Sequence, residues 1–165
     1  MKKLGSLLLF SLVISFASQA QTAAKSVYAE LGGPGVVSFN FDTRFSKSDK
    51  GIGGRIGVGG FTFRDWFDDG KTTVIFVPIG INYLLGKDGK NYFEMGASIT
   101  PTFTSYTGSA TSDDETFSTT FGNLLFGYRL QPKNGGFTFR GFISPLISRE
   151  GFIPYYGGIS LGYAF

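Results

Sequence analysis

The strongest constraint on this chain is a period of two. Over 37–45 the odd positions read Val37, Phe39, Phe41, Thr43 and Phe45, while Ser38, Asn40, Asp42 and Arg44 fill the even ones. Successive side chains on an extended strand point to opposite sides, so such alternation marks a strand with one apolar face. It recurs over 73–85, where Thr73, Ile75, Val77, Ile79, Ile81, Tyr83 and Leu85 share a face, and over 93–103 with Phe93, Met95, Ala97, Ile99, Pro101 and Phe103. The last segment alternates Tyr155, Gly157, Ile159, Leu161, Tyr163 and Phe165 with small residues. Weaker versions occupy 51–63, 116–131 and 136–147. After residue 20 no apolar stripe at helical spacing lasts three turns. The body of the chain is all-β.

Its punctuation is equally regular. Tight turns rich in Lys, Gly and Asx stand at Lys47-Ser48-Asp49-Lys50-Gly51, Lys87-Asp88-Gly89-Lys90 and Pro132-Lys133-Asn134-Gly135. Longer linkers at 64–71, 106–115 and 148–153 alternate with them. Short turns on one side and long loops on the other are the pattern of an antiparallel up-and-down barrel that crosses an outer membrane. With Gly32-Gly33-Pro34-Gly35 as one more external turn, eight strands are expected at 24–32, 36–46, 51–63, 72–85, 91–105, 116–131, 136–147 and 154–165. Both termini then lie on the periplasmic side. The alternative, one kinked strand from 27 to 45, makes seven and breaks the even count.

The first twenty residues have another purpose. Lys2 and Lys3 precede an apolar run from Leu4 to Ala17, and Ser18-Gln19-Ala20 closes it with a small-x-small site. The apolar core is shorter than the roughly 20 residues that span a bilayer, so 1–20 reads as a cleavable secretory signal and 21–165 as the barrel domain. Cleavage removes two lysines and no acid, leaving 13 basic and 12 acidic residues. The basic excess belongs to the signal, and no nucleic-acid partner is expected.

Alternation alone fits a soluble barrel as well as a membrane one. Lysine placement separates them. After the signal, lysine occurs only at 25, 47, 50, 71, 87, 90 and 133, in turns, loops or the N-terminal lead-in. A soluble sheet would spread long charged side chains over its wet face. Here the polar face is Gly, Ser, Thr and Asn, which suits a narrow interior where side chains from all strands converge. Aromatics gather at the strand ends. Phe61, Phe63, Trp66, Phe67, Phe103, Tyr106 and Phe117 mark an outer rim; Tyr83, Tyr92, Phe93, Phe126, Tyr128, Phe137, Tyr163 and Phe165 mark an inner one. The expected location is the outer membrane, in contact with its lipid and lipopolysaccharide.

With these features the chain resembles the small eight-stranded outer-membrane barrels of the OmpA-transmembrane-domain and OmpX type over most of residues 24–165. The most specific element is the terminal strand ending Gly162-Tyr163-Ala164-Phe165. The resemblance implies that Leu161, Tyr163 and Phe165 form the C-terminal signal read by the barrel-assembly machinery, and that the protein is a monomer.

Beyond Lys25 in the N-terminal lead-in, seven charged residues fall on strands, and alternation turns them inward: Glu30, Asp42, Arg44, Arg55, Glu94, Arg129 and Arg140. Buried charges persist only when paired, so an internal salt-bridge network is expected to close the lumen in its lower half. With no cysteine and no histidine, thiolate metal sites, cysteine nucleophiles and imidazole chemistry are excluded. No catalytic, cofactor or metal site is expected, and an enzyme is not. Asp113-Asp114-Glu115 with Asp65, Asp68 and Asp69 forms acidic outer loops, better read as solvated than as a cation site. Gly57-Val58-Gly59-Gly60 has no following helix to cradle a phosphate and relieves crowding instead. The expected function is a structural or surface-interaction role with a closed lumen. The alternatives are a narrow gated porin for ions or small solutes, in which the charge network rearranges, and an adhesin-like module using loops or strand edges.

Overall fold

The computed structural model describes residues 23–64, 70–107 and 115–165, with backbone alone at 115 and 116. The expected signal at 1–20 lies outside the described residues. So do Asp65, Trp66, Phe67, Asp68, Asp69, Asp113 and Asp114, and the side chain of Glu115. The strands in chain order are β1 (Lys25–Gly32), β2 (Val37–Arg44), β3 (Gly51–Arg64), β4 (Lys71–Phe76), β5 (Ile79–Leu85), β6 (Asn91–Thr107), β7 (Glu115–Leu130), β8 (Gly136–Ile143), β9 (Leu146–Ser148), β10 (Gly151–Ile153) and β11 (Gly157–Ala164). A short 3-10 turn at Gly33–Gly35 joins β1 to β2.

These segments form eight staves, all antiparallel. Pro78 interrupts one stave between β4 and β5, Pro145 another between β8 and β9, and residues 154–156 separate β10 from β11. A proline has no N–H to give the ladder, so the stave is bridged from neighbouring residues. Val77 N–H donates to the Pro101 carbonyl at 3.0 Å, and Leu124 N–H to that of Pro145 at 3.1 Å. The first stave meets the last: Ser26 to Gly32 pair with Ala164 to Gly158, and Lys25 and Phe165 exchange backbone bonds of 3.1 and 2.9 Å. Ring closure removes the sheet edges along this height.

Burial is inverted relative to a water-soluble core. Phe39 is 74% exposed and Ile99 56%, whereas Asn40, Glu94 and Arg129 are buried inside. The outward face of every stave carries large apolar side chains. The fold is therefore an eight-stranded barrel whose greasy side faces out, as the alternation anticipates.

Three details differ from the sequence reading. The Gly32–Gly35 turn is not an open external loop but folds into the lumen. Left-handed φ angles of 78° at Gly32, 67° at Gly33 and 57° at Val36 reverse the chain tightly. That reversal buries Pro34, whose carbonyl accepts from the Thr100 hydroxyl at 2.8 Å. Secondly, 148–153 is a hairpin between β9 and β10, its turn braced by the Glu150 N–H donating to the Ser148 hydroxyl at 3.2 Å, and the final strand is interrupted at 154–156, where Pro154 has no N–H for the ladder. Thirdly, Tyr92 stands at the lower rim but points inward and is no part of a lipid-facing girdle. Its ring is buried, and its hydroxyl donates to Asp49 at 2.6 Å beneath the lumen.

The three short turns lie together on the side of the two termini, here the lower rim. Lys133 N–H donates to the Gly89 carbonyl at 3.0 Å, and Gln131 N–H to that of Lys90 at 2.8 Å. Both aspartates of these turns are satisfied locally. The Tyr92 hydroxyl holds the Asp49 carboxyl below its usual range. The side-chain amide of Asn91, then the N–H groups of Asn91 and Lys90, hold that of Asp88 at about 2.

Candidate functional site

The inward face carries the candidate site. Even-numbered positions on β1, β2, β6 and β8, and odd-numbered ones on β3 and β7, point to the axis, so residues far apart in sequence converge. Glu30 from β1, Asp42 and Arg44 from β2, Arg55 from β3, Glu94 from β6, Arg129 from β7 and Arg140 from β8 are all buried there.

They form one chain of alternating charge. Arg55 grips Glu30 with two bonds of 2.8 and 3.1 Å. Arg140 reaches Glu30 at 3.4 Å and grips Glu94 through Nε and Nη2 at 2.8 and 2.7 Å. Arg129 lies 3.4 Å from Glu94 and 2.9 Å from Asp42, and Arg44 closes the series on Asp42 at 2.6 Å. Each acid thus sits between two arginines, which is how a dry interior can hold ions at all. Arginine suits the position because its planar fork makes paired bonds to a carboxylate.

Several participants were not singled out from the sequence. Asn82 donates to Glu94 at 2.9 Å and to Asp42, and accepts from Arg44. Asn40 accepts from Arg55 at 2.8 Å, and Ser26 from Arg129 at 2.9 Å. Their places on the polar face were the available signal. Tyr28 adds a cation–π contact, with the Arg140 guanidinium 4.6 Å from the ring centroid and that of Arg55 5.6 Å away. The ring has room because Gly162 stands opposite it: a Cβ there would lie 2.4 Å from Tyr28 Cβ and 2.1 Å from the Val27 carbonyl.

Above this layer the lumen is closed a second time. Gly33 lies over Glu30 and against the Phe142 ring, and Gly35 lies against Ser38 and Pro78. Pro34 and Pro78 are both fully buried. Buried side chains thus follow one another along the interior from Arg44, which donates to the Gly51 carbonyl at 3.0 Å near the lower rim, up to the inturned tip. Among the described residues no group of histidine, cysteine or carboxylate side chains could hold a metal.

The upper rim is uneven. β6 and β7 run 17 and 16 residues, β3 runs 14, and β1 and β2 only 8 each. From Phe93 to Phe103 a strand rising ~3.3 Å per residue at ~40° tilt covers about 25 Å, the height of a bilayer's apolar band. Residues 104–107, with 61–64, 71–74 and 115–117 beside them in register, stand beyond it. β2 leaves β3 at the Ser38–Gly59 pair, so among the described residues 60–64 pair only with β4.

No family model and no curated protein sequence matches the chain. Solved structures do. The N-terminal β-barrel domain of Pseudomonas aeruginosa OprF aligns with a TM-score of 0.53 at 11% identity, covering 88% of this chain and 98% of that one. Ail, the attachment invasion locus protein of Yersinia pestis, aligns with a TM-score of 0.59 at 13% identity in its complex with the heparin analogue sucrose octasulfate, covering 87% and 97%. A second Ail structure gives 0.55 at 15%. At these identities the likeness is one of fold: this chain has the small outer-membrane barrel architecture.

Proposed function

We propose that this protein is a monomeric outer-membrane barrel that does not conduct and that engages a partner at the cell surface through the projecting ends of β3, β4, β6 and β7. The observation that carries the reading is the combination of an outward apolar belt, a lumen packed with buried side chains and a strand edge at 60–64 that no described residue pairs above the belt. A strand edge offers a row of backbone donors and acceptors to an incoming extended segment. Phe61 and Phe63, 42% and 50% exposed, add apolar contact on the lumen-side face of this extension, where the Phe61 ring lies 5.7 Å from that of the buried Phe76. The resemblance to Ail, an attachment invasion locus protein, supports a surface role. A polyanion such as the one Ail holds fits less well. The segments 64–71, 106–115 and 148–153 contain seven carboxylates against Arg64, Lys71 and Arg149.

A paired substitution of Phe61→Lys and Phe63→Lys tests the edge. Charge on an edge strand discourages further pairing, so adhesion of cells displaying the variant should fall about tenfold, equivalent to about 1.4 kcal/mol. Heat-modifiable gel mobility should stay unchanged. Equal adhesion by variant, wild type and a deletion strain would remove the binding role.

Assembly is part of the same reading. Leu161, Tyr163 and Phe165 face outward at 51–60% exposure on the strand that pairs with β1, where an assembly machine could grip them before closure. Deleting Phe165 should sharply lower the amount reaching the outer membrane, while refolding in detergent from urea proceeds as before. Undiminished membrane levels would show that this residue is no assembly signal.

A further inference from the structure

The outer wall carries a second feature, on its lower half. Ile52, Tyr83, Met95 and Phe126 form one row across β3, β5, β6 and β7 by strand register. They rim a shallow apolar groove of about 290 Å³ whose floor is Gly96 and Ala97. The floor is low because the outward residue of β6 between Met95 and Ile99 is only Ala97, while the missing side chain of Gly96 falls on the lumen side beside Asn82. Immediately below are the short turns. Lys50 is two residues from Ile52, Lys87 four from Tyr83 and Lys90 five from Met95, so at ~3.3 Å per residue their backbones lie at most roughly 7–17 Å along the chain from the row.

These lysines are free to face outward. All three are exposed, and the ion pairs among the described residues are made by arginines. The neighbouring acids are already engaged: Asp49 accepts from the Tyr92 hydroxyl and feels Lys50 and Lys133 only through space, and Asp88 accepts from the backbone and amide of its own turn. The whole lower rim holds Lys25, Lys47, Lys50, Lys87, Lys90 and Lys133 against those two aspartates, whereas the upper segments are net acidic. Charge is thus sorted between the two ends of the barrel.

We infer that the groove over Gly96 and Ala97, with Lys50, Lys87 and Lys90 below it, is a binding site for an anionic phospholipid of the periplasmic leaflet. The acyl chain lies along Ile52, Tyr83, Met95 and Phe126, and the headgroup phosphate meets the ammonium groups, whose long stems let them reach the interface. The inference rests on the membrane reading proposed above, since the site exists only if the apolar belt meets hydrocarbon.

The test uses the refolded chain in phosphatidylcholine vesicles with trace spin-labelled phosphatidylglycerol or phosphatidylcholine, and reads the share of each lipid immobilised at the protein. A preference of roughly fivefold for phosphatidylglycerol is expected, the size given by one well-placed lysine, and it should shrink as salt rises. K50Q/K87Q/K90Q should abolish it. Ala97→Phe, which fills the groove without changing charge, should reduce it. Equal immobilisation of the two lipids by the wild type, or an undiminished preference in the triple variant, overturns the site. Gel mobility separates the two ideas: a chain that inserts but ignores headgroups defeats only the lipid site, while one that inserts in neither vesicle defeats the membrane reading as well.

Discussion

Glu94→Ala should destabilise the barrel by about 3–5 kcal/mol, the range for removing one partner from a buried ion pair. Glu94 receives both bonds of the Arg140 fork, one contact from Arg129 and one from the Asn82 amide. Without it, Arg140 keeps one carboxylate, Glu30 at 3.4 Å, and the faces of Tyr28 and Phe142, and a buried guanidinium is left with no close charged acceptor. Arg129 is better off because Asp42 and Ser26 still accept from it. Urea unfolding in detergent micelles, followed by tryptophan fluorescence and gel mobility, measures the loss. Phe39→Ala is the contrast. It removes a larger side chain, but from the outward face, so it leaves no uncompensated charge and should cost much less. If both variants cost the same, the charged layer is not what holds the interior. Planar-bilayer recordings on the same proteins test closure: wild type should be silent, and Glu94→Ala should stay silent because the tip at Gly33–Gly35 still fills the lumen above. Steady wild-type conductance would favour the porin alternative.

Gly162→Val should prevent folding altogether. An inward Cβ at 162 would press to within 2.1 Å of a backbone carbonyl and 2.4 Å of Tyr28 Cβ, and a carbonyl within a strand ladder has nowhere to go. The clash falls on the pair that joins the first stave to the last, so its relief means opening the ring. Losses above about 4 kcal/mol are reserved for defects of this kind. Adding Tyr28→Ala should not rescue the variant, since the Val27 carbonyl remains. Gly122→Ala is the control: the nearest atoms to its Cβ lie at 3.8 and 3.9 Å, and stability should change little. A Gly162→Val protein that still shows heat-modifiable mobility would mean that the seam is looser than its geometry.

The degree to which this molecule can be read from its sequence follows from which forces are local. Neighbouring side chains on a strand must point apart, so alternation alone separates Glu94 from Phe93 and Arg129 from Tyr128. Long staves and tight lysine-bearing turns are equally local, and strand number follows from them. The partners inside the lumen are not. Arg129 meets Ser26 across 103 positions, and only ring closure and stagger determine which arginine reaches which acid. Gly32-Gly33-Pro34-Gly35 is as suitable for a turn in water as for one folded inward; Thr100 on another stave decides. Tyr92 and Phe93 are adjacent aromatics, and an interfacial preference covers both equally, although the pleat sends one of them inside.

The step in height between the short first hairpin and the long β3 divides the barrel's motions into two regimes. Within hydrocarbon a separated stave would strand its amides and carbonyls where no water can take them, at several kcal/mol per group, so the ring there opens as a unit or not at all. Over 60–64 the same backbone groups border on water, and parting from β4 costs only the small net value of an exchanged hydrogen bond. Amide protons there should trade with deuterium by local fraying, while those of β1 and β11 wait for global unfolding.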